Sequence, residues 1–422
     1  MNNLMEMEFN WYHQLISRFR KQLTGQLVIQ ITDACNASCP QCGMRSSEKY
    51  KRSRLDHDDI KRIIDAAAEK GVQAISFTGG EPLLYFKELL ALINYAGKAG
   101  MKYIRTGTNG FLLKASKSKN FEYRINKLAE KMASTPIRNF WISIDSSVPD
   151  LHEQMRGFSG LIRGIEKALP IFHSHGIFPS ANLGLNRNIS LETANLSLDN
   201  EQLSSKNDIE NFKRIYIESL RKFYNFVISL GFTMVNTCYP MSIAESEKDQ
   251  GLIAVYGASA TDRVIYFNSL EKQLLFSALK SVIPEFRNDI RIFTPLSSLY
   301  ALENQYKKTE LKPYACRGGL EFFFVDAIKG ETFPCGYRGN ESLGKYWDFQ
   351  WEKNMTQKEC LACDWECFRD PSELLGPFFQ IFENPLSLYR KYHQEKNFFH
   401  LWFDDLKYYL ECDFFDGRKS KF

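Results

Sequence analysis

Cys35-Asn-Ala-Ser-Cys39-Pro-Gln-Cys42-Gly43 sets three cysteines in one short run, with three residues and then two between them. Three thiolates converging on one loop suit a soft metal or an iron–sulfur cluster. A cube of four irons held by three protein ligands leaves one iron open, and an open iron can bind and orient a further molecule. The run by itself also allows blander readings: three buried apolar cysteines, or three legs of a zinc site completed by His57.

The residues around the run decide the fold. Gln26 to Thr32 (QLVIQIT) reads as a buried strand, and the cysteine loop leaves its C-terminal end. Over 56–70, Ile60, Ile63, Ile64 and Ala67 recur at helical spacing with Lys61, Arg62, Asp65 and Glu69 opposite, and Gly71 is placed as a C-cap. Strand Val72 to Phe77 is followed by Gly79-Gly80-Glu81-Pro82 and a helix through Lys87 to Lys98. Strand Lys102 to Gly107 leads to Asn109-Gly110. Phe140 to Asp145, Ile177 to Leu185 and Phe232 to Tyr239 complete six strands, with a helix starting at about Pro149. This alternation implies an α/β fold with a parallel sheet and right-handed crossovers. Six units make a partial (β/α)6 TIM-like barrel, open on one side, with its chemistry at the C-terminal strand ends. The expected organisation is a helical lead-in over 1–24, the barrel over 25–245, a helical bridge over 246–310, a small cysteine-rich domain over 311–370 and a helical cap over 371–422.

Composition narrows the function classes. In 422 residues, 44% of them hydrophobic, Lys plus Arg (54) exceed Asp plus Glu (50) by only four, with no long basic block. That argues against a nucleic-acid partner or a membrane surface. No run approaches the ~18 apolar residues of a membrane span. The stretch from Met1 to Trp11 carries acids and no apolar segment, so it does not read as a signal peptide. Ten cysteines without an export signal read as metal or redox ligands in a reducing cytoplasm.

The three-cysteine loop followed, one strand later, by Gly79-Gly80-Glu81-Pro82 resembles the radical S-adenosylmethionine (radical SAM) superfamily. The glycines let backbone approach a ligand closely and leave amides and carbonyls free at the strand end. The resemblance implies a [4Fe–4S] cluster on Cys35, Cys39 and Cys42 whose open iron chelates S-adenosylmethionine. It differs at Gln41, where the family usually has an aromatic or apolar residue. It further implies that Gly79, Gly80, Glu81, Asn109, Ser143, Asp145 and Arg156 line the cofactor pocket, with Arg156 as a partner for the cofactor's carboxylate or as a surface salt bridge.

A second cysteine group, Cys316, Cys335, Cys360, Cys363 and Cys367, resembles the auxiliary-cluster domains of the same superfamily, called SPASM when full and twitch when shortened. The count matches the shortened pattern: one auxiliary [4Fe–4S] cluster on the first four, with zinc as the alternative metal. Cys367 is then a spare, an exchangeable ligand, or part of a second cluster site with Cys412. Cys238 reads as a packed apolar residue.

The function this implies is reductive cleavage of S-adenosylmethionine to a 5′-deoxyadenosyl radical that takes a hydrogen atom from a substrate C–H bond. The substrate is a peptide undergoing oxidation or cross-linking, or else a small molecule such as a sugar or alcohol. Electrons come from a donor such as flavodoxin or ferredoxin. A non-catalytic metal-binding or electron-transfer scaffold is the reading from another class, and it would need neither the Gly79–Pro82 turn nor the polar strand ends.

Overall fold

Six strands alternate with helices along the first half of the chain: β1 Gln26–Thr32, β2 Ala74–Gly79, β3 Tyr103–Thr108, β4 Ile137–Ser143, β5 Ser180–Gly184 and β6 Met234–Cys238. A computed structural model describes residues 25–42, 53–196, 203, 205–240, 252–255, 263–311, 313–349, 360–413 and 416–419. The lead-in expected over 1–24 lies outside the described residues. All six strands are parallel, and each pairs with its neighbour in chain order. The helices of this half are α1 His57–Glu69, α2 Phe86–Lys98, α3 Phe121–Ala133, α4 Pro149–Arg156, α5 Leu161–Ser174 and α6 Lys206–Leu230.

The period of two decides which face is core. Leu27, Ile29, Ile31, Ile75, Phe77, Ile104, Phe140, Ile142, Ala181, Leu183 and Val235 face the helices and are buried in one apolar cluster with Ile60, Ile63, Ile64 and Ala67 of α1. Each of the larger of these side chains contributes about 1.5–3 kcal/mol when fully buried. Helix α1 starts where Asp56 accepts hydrogen bonds from the amides of Asp58 and Asp59 (2.8 and 3.3 Å). It ends at Lys70, with Gly71 beyond it in the left-handed region (φ 77°).

Two features extend the expected barrel. The bridge is helical, α7 Ser269–Phe286 and α8 Leu296–Lys307, but between them Arg291–Ile292 adds β7, a seventh parallel strand, beside β6. At the other edge β8 Phe322–Val325 pairs in parallel with β1, and β9 Thr332–Phe333 returns antiparallel to it. The cysteine-bearing hairpin therefore continues the barrel sheet, whose order is β7-β6-β5-β4-β3-β2-β1-β8-β9. Among its described residues, the polar stretch over 190–215 holds one helical turn, Leu191–Ala194, and the start of α6.

The C-terminal region is helical: α9 Glu366–Glu383, α10 Pro385–Gln394 and α11 Lys396–Cys412. Asp405 of α11, fully buried, accepts from the amides of Leu296 and Ser297 (3.0 and 2.8 Å) at the start of α8 and from Arg287 (2.6 Å). The last described residues cross the N-terminal ends of the strands. Gly417 donates its amide to the Arg138 carbonyl (2.6 Å) and accepts from the Phe178 amide (2.7 Å). Arg418 donates to the carbonyls of Ala133, Thr135 and Ile137, which run from the end of α3 to the start of β4 (3.2, 2.5 and 2.9 Å). The opposite rim, where the cysteine loop lies, is left to other elements. No helix among the described residues is long and apolar enough to cross a membrane.

Candidate metal and cofactor site

The loop after β1 is fixed by backbone first. The hydroxyl of Thr32 accepts from the Ala34 amide (3.0 Å) and donates to the Ser53 carbonyl (2.8 Å). The Gly79-Gly80 turn at the end of β2 presses against it. A Cβ on Gly79 would stand 2.2 Å from the Thr32 carbonyl oxygen, and one on Gly80 2.2 Å from that of Ala34. The close approach expected of these glycines is thus made to the cysteine loop. The Gly80 and Glu81 amides donate to the Thr32 and Ala34 carbonyls (2.8 and 2.9 Å), so they are not free for a ligand.

Three strand ends then converge on the loop. Glu81, fully buried, accepts from the Leu83 amide (3.0 Å) and the Asn109 amide (2.6 Å), which ties the β2 end to the β3 end. Burial pushes its carboxyl up to about 7, against the pull of those two amides. Asn109 donates its side-chain amide to Asn36 Oδ1 (2.9 Å) and Cys35 Sγ (3.7 Å). Beyond β4, Asp145 accepts from Gln41 Nε2 (2.9 Å) and from Arg156 Nε and Nη2 (2.6 and 2.5 Å). Arg156 Nη1 also donates to Cys39 Sγ (3.8 Å). Burial works against the Arg156 charge, but Asp145 and the thiols of Cys39 and Cys42 outweigh it and hold the guanidinium above its usual value. His152 Nδ1 accepts from the Asp145 amide (3.1 Å), and burial pushes this imidazole down to about 4. Ser143 is half-buried on the inward face, two residues ahead of Asp145.

Glu81, Asn109, Asp145 and Arg156 are therefore gathered round the cysteine loop, though their side chains bind one another. Arg156 in particular is engaged by Asp145. Sequence reading did not find Asn36, nor the positioning role of Gln41, nor the partner of Asn186, which donates to the Asp145 carbonyl (2.9 Å). Nothing in a single sequence marks an amide that will meet a strand end 41, 73 or 104 residues away.

The donor set fits a thiolate-bound group. The Cys39 thiol is raised by burial and lowered by Arg156 beside it, and Cys35 receives an amide hydrogen. Among the described residues no three cysteine, histidine or carboxylate side chains are gathered closely enough for a single metal ion. Thiolates on separate irons of a cube stand farther apart than ligands of one ion.

The second group forms its own cavity. Cys316, Cys335, Cys360 and Cys363 wall it together with Leu252, Trp365 and Phe368. Cys316 N donates to the Cys360 carbonyl (2.8 Å), and the amides of Gly318 and Tyr337 donate to Cys316 Sγ and Cys335 Sγ (3.4 Å each). Four sulfurs, amide donors and an apolar wall suit an iron–sulfur cluster.

Cys367 stands outside this cavity. Its thiol donates to Glu366 Oε1 (3.4 Å), near Cys238, whose Sγ donates to Asn182 Oδ1 (3.5 Å). Cys412 packs with Met234 at the other end of β6, so Cys367 and Cys412 do not share a site.

Residues 29–192 match the family model of the Radical SAM superfamily, whose members use a [4Fe–4S] cluster and S-adenosylmethionine. The AdoMet-dependent heme synthase of Methanosarcina barkeri is 23% identical over 359 residues, 82% of this chain and 85% of that protein. The GTP 3′,8-cyclase of Alkaliphilus metalliredigens is 34% identical over 148 residues, 33% of this chain and 42% of the cyclase. This chain thus matches under half of that cyclase's length. The crystal structure of Streptococcus suis SuiB bound to S-adenosylmethionine aligns over 74% of this chain and 60% of that one, at 16% identity and a TM-score of 0.47. Residues 29–192, which carry the three-cysteine loop and the strand ends round it, are thus the part of this chain that matches the Radical SAM superfamily.

Proposed function

We propose that the chain is a radical SAM enzyme of the SPASM/twitch kind that oxidises or cross-links a peptide through one of its C–H bonds. The observation that carries the proposal is the three-cysteine loop, held between hydrogen-bond donors at Cys35 and Cys39 and clamped by the Gly79-Gly80 turn. Cys35, Cys39 and Cys42 would hold the [4Fe–4S] cluster with one iron open. The wall of the S-adenosylmethionine pocket would be Gly79, Gly80, Glu81, Asn109, Ser143, Asp145 and Arg156. When bound, cluster and cofactor supply a 5′-deoxyadenosyl radical able to remove a hydrogen atom from a C–H bond.

The remaining work belongs to side chains of the protein. Arg156 offsets thiolate charge at Cys39 and Cys42. Glu81 and Asp145 fix the strand ends, so the pocket is held before any ligand arrives. Trp365 and Phe368, buried against Phe322 and Phe324 of β8, keep water from the inward face on that side. Cys316, Cys335, Cys360 and Cys363 would hold one auxiliary [4Fe–4S] cluster, and a flavodoxin or ferredoxin would serve as reductant.

A second reading is a dehydrogenase acting on a small polar molecule. It is favoured by the inward face of β3–β6, which carries Arg105, Asn139, Asn182, Asn236 and Cys238. The test of the first step is 5′-deoxyadenosine formation by anaerobically reconstituted protein with dithionite. Wild type should produce it and Cys39→Ala should not. Equal rates in wild type and a Cys35/Cys39/Cys42→Ala protein would end the proposal.

A further inference from the structure

The inward face of the barrel sheet is polar, and several of its side chains keep exposed surface. Outward-facing Ile75, Ile104, Ile142, Ala181 and Val235 have no exposed surface, whereas Arg105, Trp141, Asn182, Asn236 and Cys238 all keep some. Gly107 belongs to the same face. A Cβ there would lie 1.9 Å from Trp141 Nε1, so the indole lies directly over the β3 backbone.

Arg105 sits at the middle of this face. Its Nε donates to Ser76 Oγ on β2 (2.9 Å), and among the described residues it makes no other hydrogen bond and no ion pair. Burial holds the guanidinium below its usual value, with Cys367, Cys238 and Glu366 as the neighbouring groups that favour its charge. Glu366 does not close on it: its Oε1 takes the Cys367 thiol at 3.4 Å, and its Oε2 is buried with no partner. On the other side, the register of β3 with β4 sets Asn139 beside Arg105. Asn139 is 3% exposed, and its Nδ2 has no acceptor. The terminal amino groups of Arg105 keep some exposed surface and have no partner among the described residues, so a ligand can reach them, while a buried amide donor without an acceptor, as at Asn139, is costly.

We propose that Arg105 and Asn139 receive a carboxylate of the substrate. The terminal amino groups of Arg105 suit the two oxygens of a planar carboxylate, and Asn139 Nδ2 supplies a third donor. One cation, with the Glu366 carboxyl close by, matches a monoanion better than a phosphate dianion, which would call for a second positive group. The carboxylate can belong to a free small acid or to a peptide. The proposal rests on the radical SAM reading for its chemistry, but not for its binding step.

The test uses full-length, anaerobically reconstituted protein and saturation-transfer NMR. The probes are propionate against propionamide, N-acetyl-alanyl-alanine against its C-terminal amide, and methyl phosphate. At least one acid should bind saturably while its amide does not, and the preferred acid shows whether the source is small or peptidic. Arg105→Gln should weaken that binding at least tenfold, and Arg105→Lys should retain part of it. If Arg105→Gln does not fold, Ser76→Ala, which frees Nε, should weaken the same acid several-fold. The proposal is overturned if acids and amides behave alike, if methyl phosphate binds more tightly than either acid, or if these variants match wild type. Cleavage of S-adenosylmethionine is followed on the same samples. Cleavage without acid selectivity removes only this inference, and selectivity without cleavage removes only the radical SAM reading.

Discussion

Arg156 concentrates the logic of the site in one side chain. It is bound twice to the buried Asp145 and reaches Cys39, so its removal strands a carboxylate and strips a cation from the thiols. Arg156→Ala should cost about 3–5 kcal/mol of stability and lower the iron retained after reconstitution. Arg156→Lys should recover charge but not the two-pronged contact. Denaturant melts and iron assays check both, and full iron loading in the alanine variant would show that the thiols do not need the cation. His152 gives a pH signature. It sits at about 4 in the folded chain against 6.5 ordinarily, so between these values the unfolded chain binds a proton that the folded chain does not. Its stabilisation is complete above pH 6.5 and disappears as pH falls to about 4, a loss of about 3 kcal/mol. His152→Asn keeps an acceptor for the Asp145 amide without the titration, so its urea midpoint should fall less between pH 7 and 4.5. Equal falls would refute the assignment. At this scale the sequence was legible for residue types and not for partners. Arg156 could be placed on the helix after β4 from spacing alone. Its pairing with Asp145 depends on how one loop folds back on another.

Elements were legible where periodicity was long. The six strands and α1 follow from alternation and helical spacing, because one face of each must be buried. A two-residue strand has no period, so β7 was invisible within the bridge. The register shift at Ile104/Arg105, which sets Arg105 opposite Asn139, was equally hidden, since nothing near it breaks the apolar alternation. The union of α8 with α11 depends on Asp405, which serves as acceptor for two amides at the start of α8 and as counter-ion to Arg287. Asp405→Ala should destabilise the protein by about 3–5 kcal/mol, while Asp405→Asn, which keeps an acceptor oxygen, should lose less. Identical melts for the two variants would mean that the charge and the amide contacts contribute nothing separable. Gly107→Ala should displace Trp141 and cost about 1–3 kcal/mol by overpacking, visible as a shift in tryptophan emission.

The whole molecule keeps its two thiol groups apart, each with its own amide donors, and this separation can be measured as iron. The Cys35/Cys39/Cys42→Ala protein should retain about four irons per chain after reconstitution, held by Cys316, Cys335, Cys360 and Cys363. Zinc alone would make that cavity structural, and about eight irons would require ligands beyond these four. Cysteine count and spacing carried the reading of two groups. They could not show that the second is mounted on the edge of the first group's own sheet, because strand order is set by pairing between distant segments. That mounting has a consequence for biosynthesis. The strand that bears the three-cysteine loop is flanked on one side by Ala74–Gly79 and on the other by Phe322–Val325. A ribosome delivers the first neighbour early and the second only after most of the chain has emerged. Throughout that interval the outer edge of β1 is bare, a row of unpaired amides and carbonyls of the kind that recruits other strands. Nascent chains halted before Phe322 should therefore aggregate or hold on to chaperones, whereas chains released after Val325 should not.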